Sequence, residues 1–265
     1  YTLRTLFPYT TLFRSSTLTT DLLPASTWDP ANAPALREQL ARDGFLFFRG
    51  LLPVELVAQA RQLIADDLAA DGFISEKSAA SPSSPLFITS PPDVSPRLLD
   101  RLDLQRDPSL ASVLEHPSLR QIMSLLLSAS SLAAVKTHPY KWLRAVGPGL
   151  YTGPHVDATY FPPTTYPKLL TAWIPLSPLT TTLGSLMIAP ELSAAPLQLA
   201  EGGDGTKAGW ISDGTAELEQ ARWLSADMGL GDVVVIDPNR CLHMSSRNCA
   251  EPKQWRISCD TRWWI

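Results

Sequence analysis

Apolar positions change their period partway along the chain. After Pro53, the residues Leu56, Val57, Ala60, Leu63, Ile64 and Leu68 recur at three- and four-residue spacings until Gly72, which predicts an amphipathic helix with a proline in its first turn. Residues 33–42 predict a shorter helix ended by Gly44. The unbroken run Phe45-Leu46-Phe47-Phe48 then predicts a buried strand closed by Gly50. A further helix is predicted over 117–127, entered through Pro117 and carrying Leu119, Ile122, Met123, Leu126 and Leu127 on one side. Between these segments, 75–96 is rich in Ser and Pro and breaks both periods. It predicts a long loop, either mobile or serving as a lid.

From residue 132 onward the pattern is that of strands: 132–137, 140–146, the stretch around His155, 169–174, 185–188, 233–236 and 256–263. Glycine and proline punctuate them, as in an antiparallel barrel or sandwich. A Gly-rich insertion over 189–222 interrupts the series, with a short helix predicted around 215–221. Helices first and strands second argue for one α+β domain in which helices brace a β-sandwich. That domain is expected over 25–265. Residues 1–24 are set apart as an artefactual or disordered extension, because Thr5-Leu6-Phe7-Pro8-Tyr9-Thr10-Thr11-Leu12-Phe13-Arg14-Ser15 reads as a translated sequencing adapter.

Composition narrows the function classes. Of 265 residues, 45% are hydrophobic and 18% charged, with no apolar run long enough to cross a bilayer, so a soluble globular protein is expected. The formal charge of −4 comes without any Lys/Arg cluster, which leaves no electrostatic footprint for nucleic acid or an anionic membrane. Small molecules are the expected partners, and the protein is expected as a monomer or homodimer. Cys241, Cys249 and Cys259 form no CxxC pair, so no disulfide framework is expected and the cytoplasm is the expected compartment.

The candidate chemistry centres on Gly153-Pro154-His155-Val156-Asp157. If this stretch is extended, His155 and Asp157 point the same way and address one point in space. His243, after the apolar segment 232–236 and a turn, is the candidate third ligand. Two imidazoles and a carboxylate occupy one face of a metal and leave the other open, the arrangement of non-haem Fe(II) oxygenases. A 2-oxo acid and dioxygen can take the open positions. Asp157 argues against a halogenase, which needs the carboxylate's place for a halide. His-x-Asp alone is a weak signal, and the order His155, Asp157, His243, Arg256-Ile257-Ser258 strengthens it. Arg256 and Ser258 share a strand face, and a guanidinium fork beside a hydroxyl suits the distal carboxylate of 2-oxoglutarate. The competing readings are a Zn²⁺-dependent hydrolase or isomerase of similar barrel shape, with the same three residues activating water, and a non-catalytic small-molecule-binding module. Arg256-Ile257-Ser258 discriminates, since a hydrolase has no need of a 2-oxo acid clamp.

Other candidates weigh less. His138 reads as a core or turn histidine, His116 as a helix-entry residue, and Cys241 as a soft buried side chain that could share the His243 face. Tyr160, Phe161, Tyr166, Trp142, Trp210 and Trp255 suggest an aromatic-lined pocket. Lys141 and Arg144 could attract an anionic substrate or simply be solvated.

These stretches, with Arg42-Asp43-Gly44-Phe45-Leu46, Arg49-Gly50, Leu170-Thr171-Ala172-Trp173-Ile174-Pro175-Leu176, Gly184-Ser185-Leu186, Gly231-Asp232-Val233-Val234 and Ser258-Cys259-Asp260-Thr261-Arg262, resemble the phytanoyl-CoA dioxygenase family of Fe(II)/2-oxoglutarate oxygenases. The resemblance covers roughly residues 33–264. It implies a double-stranded β-helix (jelly-roll or cupin-like) core, metal ligation by His155, Asp157 and His243, and 2-oxoglutarate contacts from Arg256 with Ser258, Trp173 and Ser245. Fe(II), 2-oxoglutarate and O2 are the implied cofactors. The implied reaction hydroxylates, desaturates or cyclises a small organic molecule while 2-oxoglutarate becomes succinate and CO2. Two departures stand out. The stretch from His243 to Arg256 is longer than the family's, which leaves Arg262 as a second candidate for the clamp. Ala189-Pro190-Glu191-Leu192-Ser193 stands where the family has Gly-Ser-His. The lack of a basic patch favours a free acid, an amino acid or a natural-product intermediate over a CoA thioester.

Overall fold

The computed structural model describes residues 20–81, 84–91, 94–161, 165–193, 218 and 220–265. Two helices carry much of the packing, α1 (Ala33–Asp43) and α2 (Val54–Ala70). Shorter ones follow: α3 (Glu76–Ala79), α4 (Leu102–Arg106), α5 (Pro108–Leu114), α6 (Pro117–Leu126) and α7 (Pro190–Ser193). The strands are β1 (Thr20–Leu22), β2 (Phe45–Phe48), β3 (Lys136–Thr137), β4 (Trp142–Val146), β5 (Leu169–Pro175), β6 (Leu186–Ile188), β7 (Trp223–Ser225), β8 (Val233–Ile236), β9 (His243–Ser245) and β10 (Arg256–Trp264). They form two sheets. The larger runs β2-β8-β5-β10-β3, with β4 also paired to β10, and the smaller runs β1-β7-β6-β9. Pairing is antiparallel except between β1 and β7.

The larger sheet is buried on both faces, and the strand period of two divides its residues between two cores. Leu46, Phe48, Val233, Val235, Ala172, Ile174, Ile257, Cys259 and Trp263 pack with Val57 and Ile64 of α2 and Leu119 and Ile122 of α6. Phe45, Phe47, Val234, Ile236 and Trp173 point the other way and meet Leu186, Ile188 and Leu224 of the small sheet. The β2/β8 half of the inter-sheet space is therefore apolar. Along β10 the inward positions are Arg256, Ser258, Asp260 and Arg262, all buried.

Most elements match the sequence pattern. Gly44 ends α1 at φ 79°, its N–H bonded to Leu40 O, so β2 starts at once. Several differ. Of 132–137, only Lys136–Thr137 is strand, and 132–134 coil into a 3₁₀ turn. The α4–α5 pair was not expected, although Asp107 caps the Ser109 N–H ahead of Pro108 at a helix start. The strands β1, β7 and β9 are three residues long, too short for a periodicity to show. The β1 strand also falls within residues 1–24, expected to stand outside the domain. Instead Thr20–Leu22 pair with β7 and Leu23 is buried between the sheets, so the fold begins no later than Thr20. Residues 1–19, Trp210 and most of 215–221 lie outside the described residues.

Among its described residues, the predicted loop 75–96 contains the short helix α3 and is docked at Ser81, Ser84, Leu86 and Ile88. Arg61 of α2, itself buried, donates to the Ser81 and Ser84 carbonyls. Trp255 N–H bonds Leu86 O, and Ile88 N–H bonds Lys253 O, so this segment braces the chain just ahead of Arg256.

The turn into β8 is set by Asp232, whose carboxylate accepts from Gly50 N at 2.9 Å, Gly229 N at 3.0 Å and Arg49 Nη1 at 2.8 Å. Gly231 beside it has φ 93°, and a Cβ there would come within 2.5 Å of Leu52 O. Gly231→Ala is expected to lower unfolding free energy by about 1–3 kcal/mol in urea denaturation, from left-handed strain plus the clash. An unchanged midpoint would show that the turn relaxes freely.

Candidate active site

His155 and His243 are joined through their backbones, with N–H···O contacts of 3.0 and 3.1 Å in the two directions. This bridge continues the small sheet past β9 and brings the ring centroids to 4.3 Å. Val156 is extended at φ −116°, ψ 140°, so Asp157 returns to the side of His155 before the chain coils into the 3₁₀ turn Asp157–Tyr160. The expected convergence is present, although the stretch is a bridge and a turn rather than a regular strand. One donor atom from each of His155, Asp157 and His243 lies within 4.8 Å of the others, and all three residues are buried.

The donor set fits a divalent metal. His155 Nδ1 lies 2.8 Å from Gly153 O and His243 Nδ1 lies 3.0 Å from Cys241 O. A carbonyl only accepts, so each Nδ1 carries a proton, and in the neutral ring the lone pair then lies on Nε2, where a ligand can use it. Burial, helped by His243, pushes the His155 imidazolium down to about 3, which keeps the ring neutral at physiological pH. Burial would raise the Asp157 carboxyl, but the Arg262 guanidinium, with the Thr171 hydrogen bond, holds the group below the usual carboxylate range. Thr171 Oγ1 donates to Asp157 Oδ2 at 2.8 Å, and Arg262 Nη2 donates to Asp157 Oδ1 at 3.1 Å. Two imidazole nitrogens and one anionic oxygen thus converge, the set that open-faced Fe(II) centres use.

Arg256 stands at the start of β10, 1% exposed. Its Nη1 donates to Ser258 Oγ, and its guanidinium lies 5.9 Å from the Trp173 ring centroid. Its Nε has no hydrogen-bond partner among the described residues. Gly184, at φ 92°, leaves the space beside Arg256 that a side chain would fill, its virtual Cβ lying 3.6 Å from Nε. Burial and nearby Arg144 lower the guanidinium to about 10, so it remains a cation at neutral pH. Ser245, inward on β9, accepts from Thr152 N–H at 2.8 Å. Arg256, Ser258 and Trp173 therefore form one cluster, which could hold a carboxylate, while Ser245 stands on the facing sheet.

The remaining candidates separate cleanly. Arg262 bonds Asp157 through Nη2, while its Nε and Nη1 have no hydrogen-bond partner among the described residues. Lys141 is buried against Glu115 at 2.7 Å and is not available to a substrate. His116 caps α6 by accepting from Ser118 N–H. His138 Nδ1 accepts from Tyr140 N–H, and its ring packs in an aromatic group with Trp142, Phe161 and Trp264. Tyr166 joins that group, whereas Trp255 packs on Phe73 at the docked loop. The Cys241 contribution is its carbonyl, which orients His243. Sequence reasoning passed over Thr171 and Asp260. The period of two along β10 and the pairing of Arg262 with Thr171 carry them, and that pairing is a long-range register.

Comparison with known proteins places this geometry. The sequence profile of phytanoyl-CoA dioxygenase (PhyH) matches residues 40–253. No curated protein matches the chain by sequence. Solved structures share its fold at low identity. The non-heme alpha ketoglutarate dependent carbocyclase SnoK from nogalamycin biosynthesis has TM-score 0.61 and 18% identity, with 91% of this chain and 87% of that one covered. The epimerase SnoN, in complex with Fe3+, alpha ketoglutarate and nogalamycin RO, has TM-score 0.60 and 17% identity, covering 89% and 84%. EctD from S. alaskensis in its apoform has TM-score 0.61 and 17% identity, covering 92% and 82%. With its profile match spanning both histidines, the aspartate and most of both sheets, the chain belongs to the phytanoyl-CoA dioxygenase family.

Proposed function

We propose that the protein is an Fe(II)- and 2-oxoglutarate-dependent oxygenase in which His155, Asp157 and His243 hold the metal and Arg256 anchors the co-substrate. The observation that carries the reading is Arg256 itself: a guanidinium sealed from solvent, facing a hydroxyl, with no carboxylate within ion-pair distance among the described residues. An uncompensated buried cation is costly. A dicarboxylate bound beside it removes that cost, and a zinc hydrolase would have no use for it. Bound at the three ligands, Fe(II) together with 2-oxoglutarate supplies oxygen activation, coupled to formation of succinate and CO2 and to oxidation of a substrate C–H bond.

The chain's own residues divide the remaining work. His155 and His243 present unprotonated Nε2 atoms because Gly153 and Cys241 carbonyls hold the protons on Nδ1. Asp157 supplies the one negative charge. Arg256 and Ser258 orient the distal carboxylate, Trp173 walls the guanidinium, and Ser245 faces the cluster from β9. Hydroxylation of a small organic molecule is the default outcome, while desaturation or ring formation needs the same ligands and a different substrate placement. We assign the activity to a single domain acting as a monomer or homodimer. Among the described residues no helix is long and apolar enough to cross a membrane, and the unpaired buried thiols of Cys241 and Cys259 accord with the cytoplasm.

Anaerobic addition of Fe(II) and 2-oxoglutarate is expected to give a visible charge-transfer band. Absence of that band, together with no succinate release across candidate substrates, would sink the reading. His155→Ala and Asp157→Ala are each expected to reduce succinate formation to background. Arg256→Ala should instead raise the KM for 2-oxoglutarate by about 10- to 100-fold, the size of one lost charge-assisted contact. An equal loss of kcat without a change in KM would remove Arg256 from the anchoring role. Chelator treatment should lower the Tm of the metal-loaded protein, with Fe(II) or Co(II) restoring it, and an unchanged Tm would argue against a built metal site.

A further inference from the structure

We propose that Arg262 is a positioning residue for the metal centre: it fixes the Asp157 carboxylate in its ligating orientation, and is itself backed by Asp260, which Arg144 bonds. This rests on the reading of His155, Asp157 and His243 as metal ligands. Each Asp157 oxygen has its own donor, Oδ1 from Arg262 at 3.1 Å and Oδ2 from Thr171 at 2.8 Å. Rotation of the carboxylate would break one or both contacts. The fixed orientation leaves Oδ1 facing His155 Nε2, 3.7 Å away, toward the point where a shared ion would sit. Both donors come from one place in the sheet, because Arg262 on β10 is register-paired with Thr171 on β5.

The arginine is fixed in turn. It is 2% exposed, and its guanidinium lies 4.7 Å from the Trp142 ring centroid and 5.4 Å from that of Phe161. Asp260 Oδ2 is 3.9 Å from it and accepts from Arg144 at 3.1 and 3.3 Å. Charges therefore alternate in space from the half-buried Arg144 through Asp260 and Arg262 to Asp157. The strand β10 thus carries two buried arginines with different partners. Arg262 bonds a ligand carboxylate through Nη2, whereas Arg256 bonds the Ser258 hydroxyl and has no carboxylate within ion-pair distance among the described residues. That difference separates a positioning residue from a co-substrate anchor.

The test compares metal binding with co-substrate binding. Chelator-treated protein is titrated with Co(II), its visible spectrum is recorded, and 2-oxoglutarate affinity is measured on the Co(II)-saturated form. Arg262→Gln is expected to weaken Co(II) binding by about 10- to 100-fold and to alter the Co(II) spectrum, with 2-oxoglutarate affinity of the saturated protein unchanged. Arg256→Gln is expected to show the reverse split. Arg262→Lys should recover part of the metal affinity, because one charged donor survives. Wild-type Co(II) affinity and spectrum in Arg262→Gln would overturn the proposal, as would a loss of 2-oxoglutarate affinity matching that of Arg256→Gln. If Arg262→Gln does not fold, Thr171→Val carries the same test through the other oxygen, and an unaltered Co(II) affinity and spectrum there would overturn it. Co(II) binding that survives Asp157→Ala would bring down the metal-site reading itself, whereas failure in Arg262→Gln alone leaves that reading standing.

Discussion

Burial of charge along one face of β10 is the constraint on which the site depends. Arg256, Ser258, Asp260 and Arg262 follow one another at every second residue, pointing into the space between the sheets. Apolar residues on the opposite face, Ile257, Cys259 and Trp263, pack beneath the helices and keep the strand from turning over. A one-residue slip would bury four polar side chains against α2 and α6 and expose the core to the cavity. The large hydrophobic core is therefore what aims the polar face.

The polar face then needs partners, since a charge removed from water costs several kcal/mol unless it is paired. Asp260 has Arg144, and Arg262 has Asp157. Asp157 and the two imidazoles accumulate lone pairs and a negative charge that a divalent cation would satisfy. Arg256 accumulates a positive charge that a dicarboxylate would satisfy. The metal and co-substrate readings are two halves of one electrostatic argument, and both concern the same end of the inter-sheet space.

Much of this was legible in local sequence. Helices α2 and α6 showed their apolar stripes, and β2, β5 and β8 stood out as apolar runs. The shared side of His155 and Asp157 followed from their spacing because Val156 is extended, while the order with His243 and Arg256 singled the pair out. What could not be read depends on contacts between residues far apart. The charged partner of Asp157 is 105 positions away, Thr171 reaches Asp157 from a separate strand whose register sets it beside Arg262, and the three-residue strands β1, β7 and β9 are defined by their neighbours rather than by their own pattern. The longer His243-to-Arg256 stretch left two arginines open for the anchor. Their surroundings differ: Arg262 has a carboxylate within ion-pair distance and Arg256 has none among the described residues.

The most direct measurement is a crystal structure of the protein with a redox-inert divalent metal and 2-oxoglutarate. The account predicts a metal bound by His155 Nε2, His243 Nε2 and Asp157, with the distal carboxylate of 2-oxoglutarate on Arg256 and Ser258, and Arg262 still on Asp157. A distal carboxylate on Arg262, or a metal held without Asp157, would contradict it.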